Sequence, residues 1–321
     1  TNGVLRTISR SGKKIFEATS PLDNLPDFFK KDWFKNWGKF SVQQIMQLAQ
    51  MQPPLDITLK NDSMDKKIEW GKKLSAKFIS QNSIRLSPVA DVTSLRGYKE
   101  GEWWVQDCAA ALPARLMGNI RGKNVIDLCA APGGKTAQLA AAGANVLAID
   151  NNPKRIKRLS DNLNRLSLNA TTICTDGRDY TPVVLVDGVL LDAPCSATGT
   201  IRRRPDVLIG KTAEQILALQ TLQIELCLAA SKWIKPGGTL VYATCSLQKQ
   251  EGEEVIDQII SQPNTNLSLD PITKSEADLF FPLNCNQNTV DHLRILPNHL
   301  LKNNNDVFGN DGFFIARFRK K

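Results

Sequence analysis

The sequence predicts an α/β fold: a doubly wound, mostly parallel, seven-stranded sheet, preceded by N-terminal helices and a small α+β unit. Three observations predict it. From Gly122 onward, short apolar runs suited to strands alternate with helical stretches, the pattern of a parallel sheet covered on both faces. A Gly-rich turn, Asp127-Leu128-Cys129-Ala130-Ala131-Pro132-Gly133-Gly134-Lys135-Thr136, leaves the first of these strands and opens a helix. Two more motifs, Asp192-Ala193-Pro194-Cys195-Ser196-Ala197-Thr198-Gly199 and Ala243-Thr244-Cys245-Ser246, stand where later strands end. In such sheets ligands bind beyond the strand C-termini, at the topological switch point.

Residues 1–52, at the start of the chain, read as helical pieces broken by Pro21, Pro26 and Gly38. Within them Phe28, Phe29, Trp33, Phe34 and Trp37 interleave with Lys30, Lys31 and Lys35. That mixture suits either base stacking with phosphate contact or a helix packing its aromatic face. Residues 53–105 form a small α+β unit. Leu55–Leu59 alternates like a strand, Ser63–Ile79 is a helix with Ser63 as N-cap, and extended pieces lie near Ile84–Leu86 and Trp103–Val105. Asp107–Gly118 reads as a helix bent at Pro113.

Residues 106–321 hold the main sheet. Its strands are Asn124–Leu128, Val146–Asp150, Thr171–Thr175, Gly188–Asp192, Thr239–Ala243, and a late pair, His292–Leu296 and Phe313–Phe318. Between them lie the basic helix Lys154–Leu166, the long helix Thr212–Ile234, a turn at Pro236-Gly237-Gly238 and the helix Glu251–Ile260.

Composition narrows the function. The chain has 321 residues, 42% apolar and 23% charged, which excludes wholesale disorder. No apolar run approaches the roughly 18 residues of a membrane span. The net charge is +9. Residues 1–100 carry 17 basic and 10 acidic side chains, and the remainder carries 24 and 22. A basic front on a near-neutral body suits an acidic partner, nucleic acid most simply, or a solvated helix face. Lys66, Lys67, Lys72, Lys73 and Lys77 are expected to meet the nucleic-acid backbone. Seven cysteines without C-x-x-C spacing support neither a disulfide framework nor a zinc site, so no metal is expected and a reducing cytoplasm is the natural compartment. Thr1 in place of Met fits a fragment or a processed product.

The motifs then specify chemistry. Gly133 and Gly134 let backbone approach a ligand closely, and the helix N-terminus offers N–H groups to a carboxylate. The turn is neither G-x-G-x-x-G nor a P-loop. Asp150 ends the next strand, where an acid typically takes ribose hydroxyls. Asp176 ends the third and is placed to accept from an adenine amino group. Cys195 and Cys245 each come just after a strand and converge beside Asp192. The other cysteines Cys108, Cys174, Cys227 and Cys285 read as small buried hydrophobes. A thiolate adding to C6 of a pyrimidine makes C5 enamine-like and able to take an electrophilic methyl. Lys135 is the nearest positive charge for such a thiolate, and Asp192 is placed at N3 and the exocyclic amine. Spacing alone does not rank the two thiols.

These residues closely resemble the RNA cytosine-5 methyltransferase family, over about residues 100–321. Gln106-Asp107, the Gly-rich turn, Asp-Ala-Pro-Cys-Ser-Ala-Thr-Gly and Ala-Thr-Cys-Ser stand as that family writes them. Ile201-Arg202-Arg203 with Pro205-Asp206, and Asp311-Gly312-Phe313-Phe314, look most like the bacterial 16S ribosomal RNA methyltransferase B (Sun/Fmu) type. The resemblance implies a class I (Rossmann-like) S-adenosylmethionine-dependent methyltransferase domain at 106–321 and an RNA-binding subdomain at 53–105. It implies that Cys129, Ala130, Ala131, Pro132, Gly133, Gly134 and Lys135 bind S-adenosyl-L-methionine with Asp150, Asp176 and Asp192. It makes Cys245 the nucleophile and Cys195 the thiol that helps release product. The implied substrate is 16S ribosomal RNA, unassembled or partly assembled, met by a monomer without membrane or metal. Such enzymes begin with a NusB-like helical domain, and Asn2-Gly3-Val4-Leu5-Arg6 resembles its tail. The shared motifs leave two other readings: a cytosine-5 methyltransferase for transfer RNA or another ribosomal site, and a non-catalytic RNA-binding assembly factor.

Overall fold

The computed structural model describes residues 2–80, 83–277, 288–300 and 309–321. Helix α1 (Asn2–Ala18) buries none of its residues. Helices α2 (Asp27–Trp37) and α3 (Lys39–Leu48) meet at Gly38, whose φ of 76° permits the sharp turn. Phe29 and Trp33 are fully buried against Val42 and Ile45, and the same cluster includes Ile201, Val207, Leu208, Leu247 and Leu296. Packing therefore claims these two rings of the aromatic run. It also fastens the N-terminal helices to the loops just beyond the two cysteine motifs.

Strands β1 (Leu55–Leu59), β2 (Lys77–Phe78), β3 (Ser83–Leu86) and β4 (Trp103–Val105) form an antiparallel sheet in the order β2-β3-β1-β4. Helix α4 (Met64–Lys73) covers it, with Ser63 Oγ accepting from Lys66 N. The helix is shorter than the sequence predicts. Ser75 takes a left-handed φ of 50°, and the chain turns into β2. Lys66 and Lys73 both pair with Glu69 on the helix surface. Arg85 grips Asp56 with two bonds of 2.6 and 2.7 Å, and Cys108 N donates to Asp56 Oδ2. These bonds tie the small sheet to the segment that leads into the main one.

The expected helix over 107–118 shrinks to α5 (Leu112–Arg115). Asp107 Oδ1 accepts from Ala109 N, a side-chain bond that competes with helix formation, and Pro113 supplies no N–H. The main sheet comprises β5 (Asn124–Leu128), β6 (Asn145–Asp150), β7 (Thr171–Cys174), β8 (Val186–Asp192), β9 (Ile234–Thr244), β10 (Leu267–Leu269), β13 (His292–Ile295) and β14 (Phe313–Lys320). Its order is β10-β14-β9-β8-β5-β6-β7. The expected late pair is present, β13 against β14. The extra strand is β10, which shares the outer edge of β14 with β13: Leu269 faces Phe318, and Ile295 faces Phe313. A separate short ladder joins β11 (Ile272–Thr273) to β12 (Thr289–Val290), beside the single turn α10 (Lys274–Ala277).

Pro236-Gly237-Gly238 lies within β9 rather than before it. Ile234 pairs with Val186 and Thr239 with Gly188, so the insert bulges outward and pairing resumes beyond it. Side chains alternate across the sheet. Val125, Leu190, Val241 and Ile315 pack on one face, and Ile126, Leu191, Tyr242 and Phe314 on the other. Helices α6 (Gly134–Ala141) and α7 (Pro153–Leu166) come after β5 and β6; α8 (Ala213–Ser231) and α9 (Glu253–Ser261) flank β9 in sequence. Thr212 caps α8 reciprocally with Gln215. The chain runs β5, β6, β7 outward, then returns to β8 on the other side of β5. The switch point therefore falls between β5 and β8. No helix among the described residues is long and apolar enough to cross a membrane.

Candidate active site

The Gly-rich turn leaves β5 at the switch point. Cys129 adopts φ 62° and Gly133 φ 101°, with a cis peptide bond between Ala131 and Pro132. A Cβ on Gly133 would sit 2.9 Å from Leu159 Cγ, so α7 packs against the turn only because glycine stands there. Asp150 is buried beneath the loop. Its Oδ2 accepts from Ala131 N at 3.2 Å and its Oδ1 from Asn152 N at 3.1 Å. Arg155 Nη2 lies 3.3 Å from Asp150 Oδ2 and donates to Ala131 O at 2.6 Å. Asp176 lies two residues beyond β7. Its hydrogen bonds from Arg178 hold its carboxyl below the usual range. Cys129, Asp150, Asn151, Asp176, Gly177 and Pro194 line an 80 Å³ cleft across these strand ends.

The two thiols meet. Cys195 Sγ lies 3.6 Å from Cys245 Sγ, because β8 and β9 are adjacent parallel strands with Asp192 level with Ala243. The hydrogen bond with Cys245, then burial, raises the Cys195 thiol well above its ordinary pKa. Cys108 and Cys227 are buried as expected. Cys174 is not: it is exposed, because β7 is the edge strand and its end meets solvent. Cys285 lies outside the described residues.

Lys135 Nζ, from the start of α6, reaches Asp192 Oδ2 at 2.7 Å. It also lies 5.3 Å from the Phe313 ring centroid. Lys135, Asp192 and Cys245 line one cavity of 330 Å³, with Gln106, Asp107, Arg202, Arg203 and Phe313 also in its wall. The structure thus gathers the Gly-rich turn, Asp192 and both thiols. Asp150 and Asp176 stand apart, at the other cleft.

The cavity wall also explains motifs that the sequence left without a role. Gly199 N donates to Cys245 O at 2.9 Å, and Gly312 N donates to Gly199 O at 2.8 Å. Arg202 Nη2 reaches Asp107 Oδ2 at 2.8 Å, and Arg203 Nε reaches Asp311 Oδ2 at 2.8 Å. Asp311 N donates to Asp107 Oδ2. Burial, then Asp107 nearby, pushes the Asp311 carboxyl up to about 7. Arg202 is buried, while Arg203 is half exposed at the rim. Asp107, the Arg202-Arg203 pair and Asp311 are far apart in sequence, so no local pattern marks them as one cluster.

A sequence description of the 16S rRNA methyltransferase RsmB/F family matches residues 116–319. The ribosomal RNA small subunit methyltransferase B of Pseudomonas putida is 38% identical over 296 residues, which cover 85% of this chain and 66% of that protein. The protein of the same name from Cronobacter sakazakii is 35% identical over 282 residues, covering 81% of this chain and 64% of its own. The chain spans about two thirds of the length of these relatives. A crystal structure of a methyltransferase homolog protein from Pyrococcus horikoshii shares the fold, with a TM-score of 0.75 and 26% identity over 94% of this chain and 99% of that one. NSun6 from Pyrococcus horikoshii also shares it, at TM-score 0.76 and 20% identity over 93% and 99% of the two chains. The motifs gathered at the switch point and the match across the whole main sheet agree, and the chain belongs to the RsmB/F family of 16S rRNA methyltransferases.

Proposed function

We propose that this chain transfers a methyl group from S-adenosylmethionine to C5 of a cytosine in 16S ribosomal RNA, through a covalent Cys245–C6 adduct. The observation that carries this reading is the pair of thiols 3.6 Å apart, Cys245 opening into a 330 Å³ cavity that also holds Lys135 and Asp192. S-adenosylmethionine, when bound, supplies an electrophilic methyl group. The residues fit it. Ala130, Pro132, Gly134 and Lys135 of the Gly-rich turn line the 330 Å³ cavity, and Cys129 lines the cleft that also holds the buried carboxyl of Asp150. Residues Cys129–Lys135 would hold its amino-acid end, Asp150 the ribose, Asp176 the adenine and Asp192 the boundary with the target base.

The chain's own residues then account for the remaining chemistry. Cys245 Sγ, as thiolate, adds to C6, and the electron pair of the C5=C6 bond moves toward C5. Asp192, held by Lys135, faces N3 and the exocyclic amine and supports the charge that the ring accepts. Once C5 carries the methyl group, its proton passes to solvent water, and the electron pair it leaves re-forms C5=C6 and expels the Cys245 thiolate. Cys195 assists that expulsion; its raised thiol pKa suits a group that holds a proton at rest. The target base must leave its stack to enter the cavity, which favours unassembled or partly assembled RNA as substrate. The basic first hundred residues support RNA contact by the small sheet and α4. The protein acts as a monomer in the cytoplasm on this reading.

Bisulfite sequencing of small-subunit RNA from cells lacking the gene tests the substrate. The expected result is one cytosine that loses protection. Unchanged ribosomal cytosines, with a change in transfer RNA instead, would move the activity to the other substrate.

A further inference from the structure

Ser196 comes directly after Cys195, and Ser246 directly after Cys245. Both hydroxyls turn away from the cavity and converge on one side chain, Glu251. Glu251 Oε2 accepts from Ser246 Oγ at 2.5 Å and from Ser196 Oγ. Glu251 Oε1 accepts from Ser196 N at 2.8 Å and from Gln223 Nε2 at 3.1 Å. The residue is fully buried, at 0% exposure. Its backbone is used as well: Glu251 O accepts from Tyr242 Oη at 2.8 Å and from Thr244 Oγ1 at 3.1 Å. Gln223 closes the frame by donating to Pro194 O at 2.8 Å and accepting from Tyr242 Oη at 3.2 Å.

Four hydrogen bonds, all from neutral donors, satisfy this carboxylate. A buried charge is costly, and an apolar side chain would hold two loops together with less desolvation. What an apolar side chain could not do is fix both turns at once. One oxygen takes the residue after each thiol, so a shift of either turn breaks a bond to the same group.

We propose that Glu251 is a positioning residue that registers the Cys195 and Cys245 turns against each other, so that the two thiols meet the target base from fixed places. This deepens the reading above and rests on its assignment of both thiols. The negative charge also acts on Cys195: after the Cys245 bond and burial, Glu251 contributes to keeping that thiol protonated. The nucleophile and the release thiol are thereby differentiated by the group that aligns them.

Glu251→Gln keeps the shape and removes the charge. The expected result is a protein that melts within a few degrees of wild type, with its KM for S-adenosylmethionine unchanged, because neither the Gly-rich turn nor Asp150 touches Glu251. Turnover on 16S RNA should fall on the order of 10²-fold, the scale of a small misplacement of reacting groups. Site-resolved iodoacetamide labelling supplies a readout independent of methyl transfer. Relative to exposed Cys174, labelling of Cys195 should rise several-fold. Turnover within twofold of wild type would overturn the proposal. So would a loss of turnover with the labelling ratios unchanged, since that marks a merely structural role. If wild-type protein transfers no methyl group, the functional reading fails, and the labelling ratio alone still decides for or against the clamp. If Glu251→Gln does not fold, Ser196→Ala and Ser246→Ala each remove one hydroxyl bond to Glu251 while keeping its charge: turnover that falls with the KM for S-adenosylmethionine unchanged supports the clamp, and wild-type turnover in both overturns it.

Discussion

Lys135 Nζ stands 2.7 Å from Asp192 Oδ2. The bond crosses from the start of α6 to the end of β8, joining the Gly-rich turn to the Asp-Ala-Pro-Cys turn over the cavity that Cys245 enters. The lysine side chain is nearly buried and the aspartate about one third exposed. Lys135 therefore supplies fixed positive charge at the cavity, while Asp192 keeps a face free for a ligand. Lys135→Met should lower turnover about 10²- to 10³-fold, within the range for a group acting on charge and proton movement. Labelled methyl transfer to RNA measures it. A variant as active as wild type would remove Lys135 from the chemistry.

Gly199 admits no side chain. A Cβ there would lie 2.2 Å from Gly312 O and 2.9 Å from Cys245 O. Both obstacles are backbone, so neither can swing aside. Gly199→Ala should cost about 2 kcal/mol or more, as overpacking does, and should displace the Cys245 turn. A urea unfolding curve gives the first effect and methyl transfer the second. An unshifted midpoint would show that the turn yields.

Asp127 is fully buried, and burial pushes its carboxyl up to about 7. Thr136 Oγ1 donates to its Oδ2 at 2.6 Å. The folded state thus binds this proton more tightly than the unfolded state, whose carboxyl titrates near 3.8. Stability from this group is full below about 4 and declines as pH rises toward 7. Asp127→Asn keeps an acceptor for Thr136 and removes the titration. Its melting temperature, compared with wild type from pH 5 to 8, should gain ground as pH rises. A constant difference across that range would contradict the assignment.

Trp33 links the N-terminal helices to the Cys245 turn. Its Nε1 donates to Gln248 Oε1 at 2.5 Å, and Gln248 N donates to Ser246 Oγ at 3.0 Å. Trp33→Phe leaves a buried amide oxygen without its donor and should cost about 1–3 kcal/mol. Chemical unfolding checks the cost. A loss of turnover larger than the loss of stability would show that the helices brace the active site.

Much of this arrangement is legible in the sequence. The Gly-rich turn, Asp150, Asp192, Cys195 and Cys245 each stand at a strand end, and parallel strands deliver their ends to one edge of the sheet. Boundaries are less legible where side chains compete with backbone. Asp107 breaks an expected helix, and Pro236-Gly237-Gly238 bulges inside a strand instead of preceding it. Cys174 reads as buried because a strand's place in the sheet is invisible along the chain, whereas the strand order makes β7 an edge. Glu251 carries no local mark. Its role depends on Ser196, which is 55 residues away in the chain.

The central claim is the division of labour between the two thiols. It is tested most directly by incubating Cys245→Ala and Cys195→Ala separately with 16S RNA and labelled S-adenosylmethionine, then running the products on a denaturing gel. The account predicts no methylation and no adduct for Cys245→Ala. It predicts an RNA–protein band that survives denaturation for Cys195→Ala, because the adduct forms and is not released. Near-normal turnover by Cys245→Ala, or the adduct appearing in that variant instead, would contradict it.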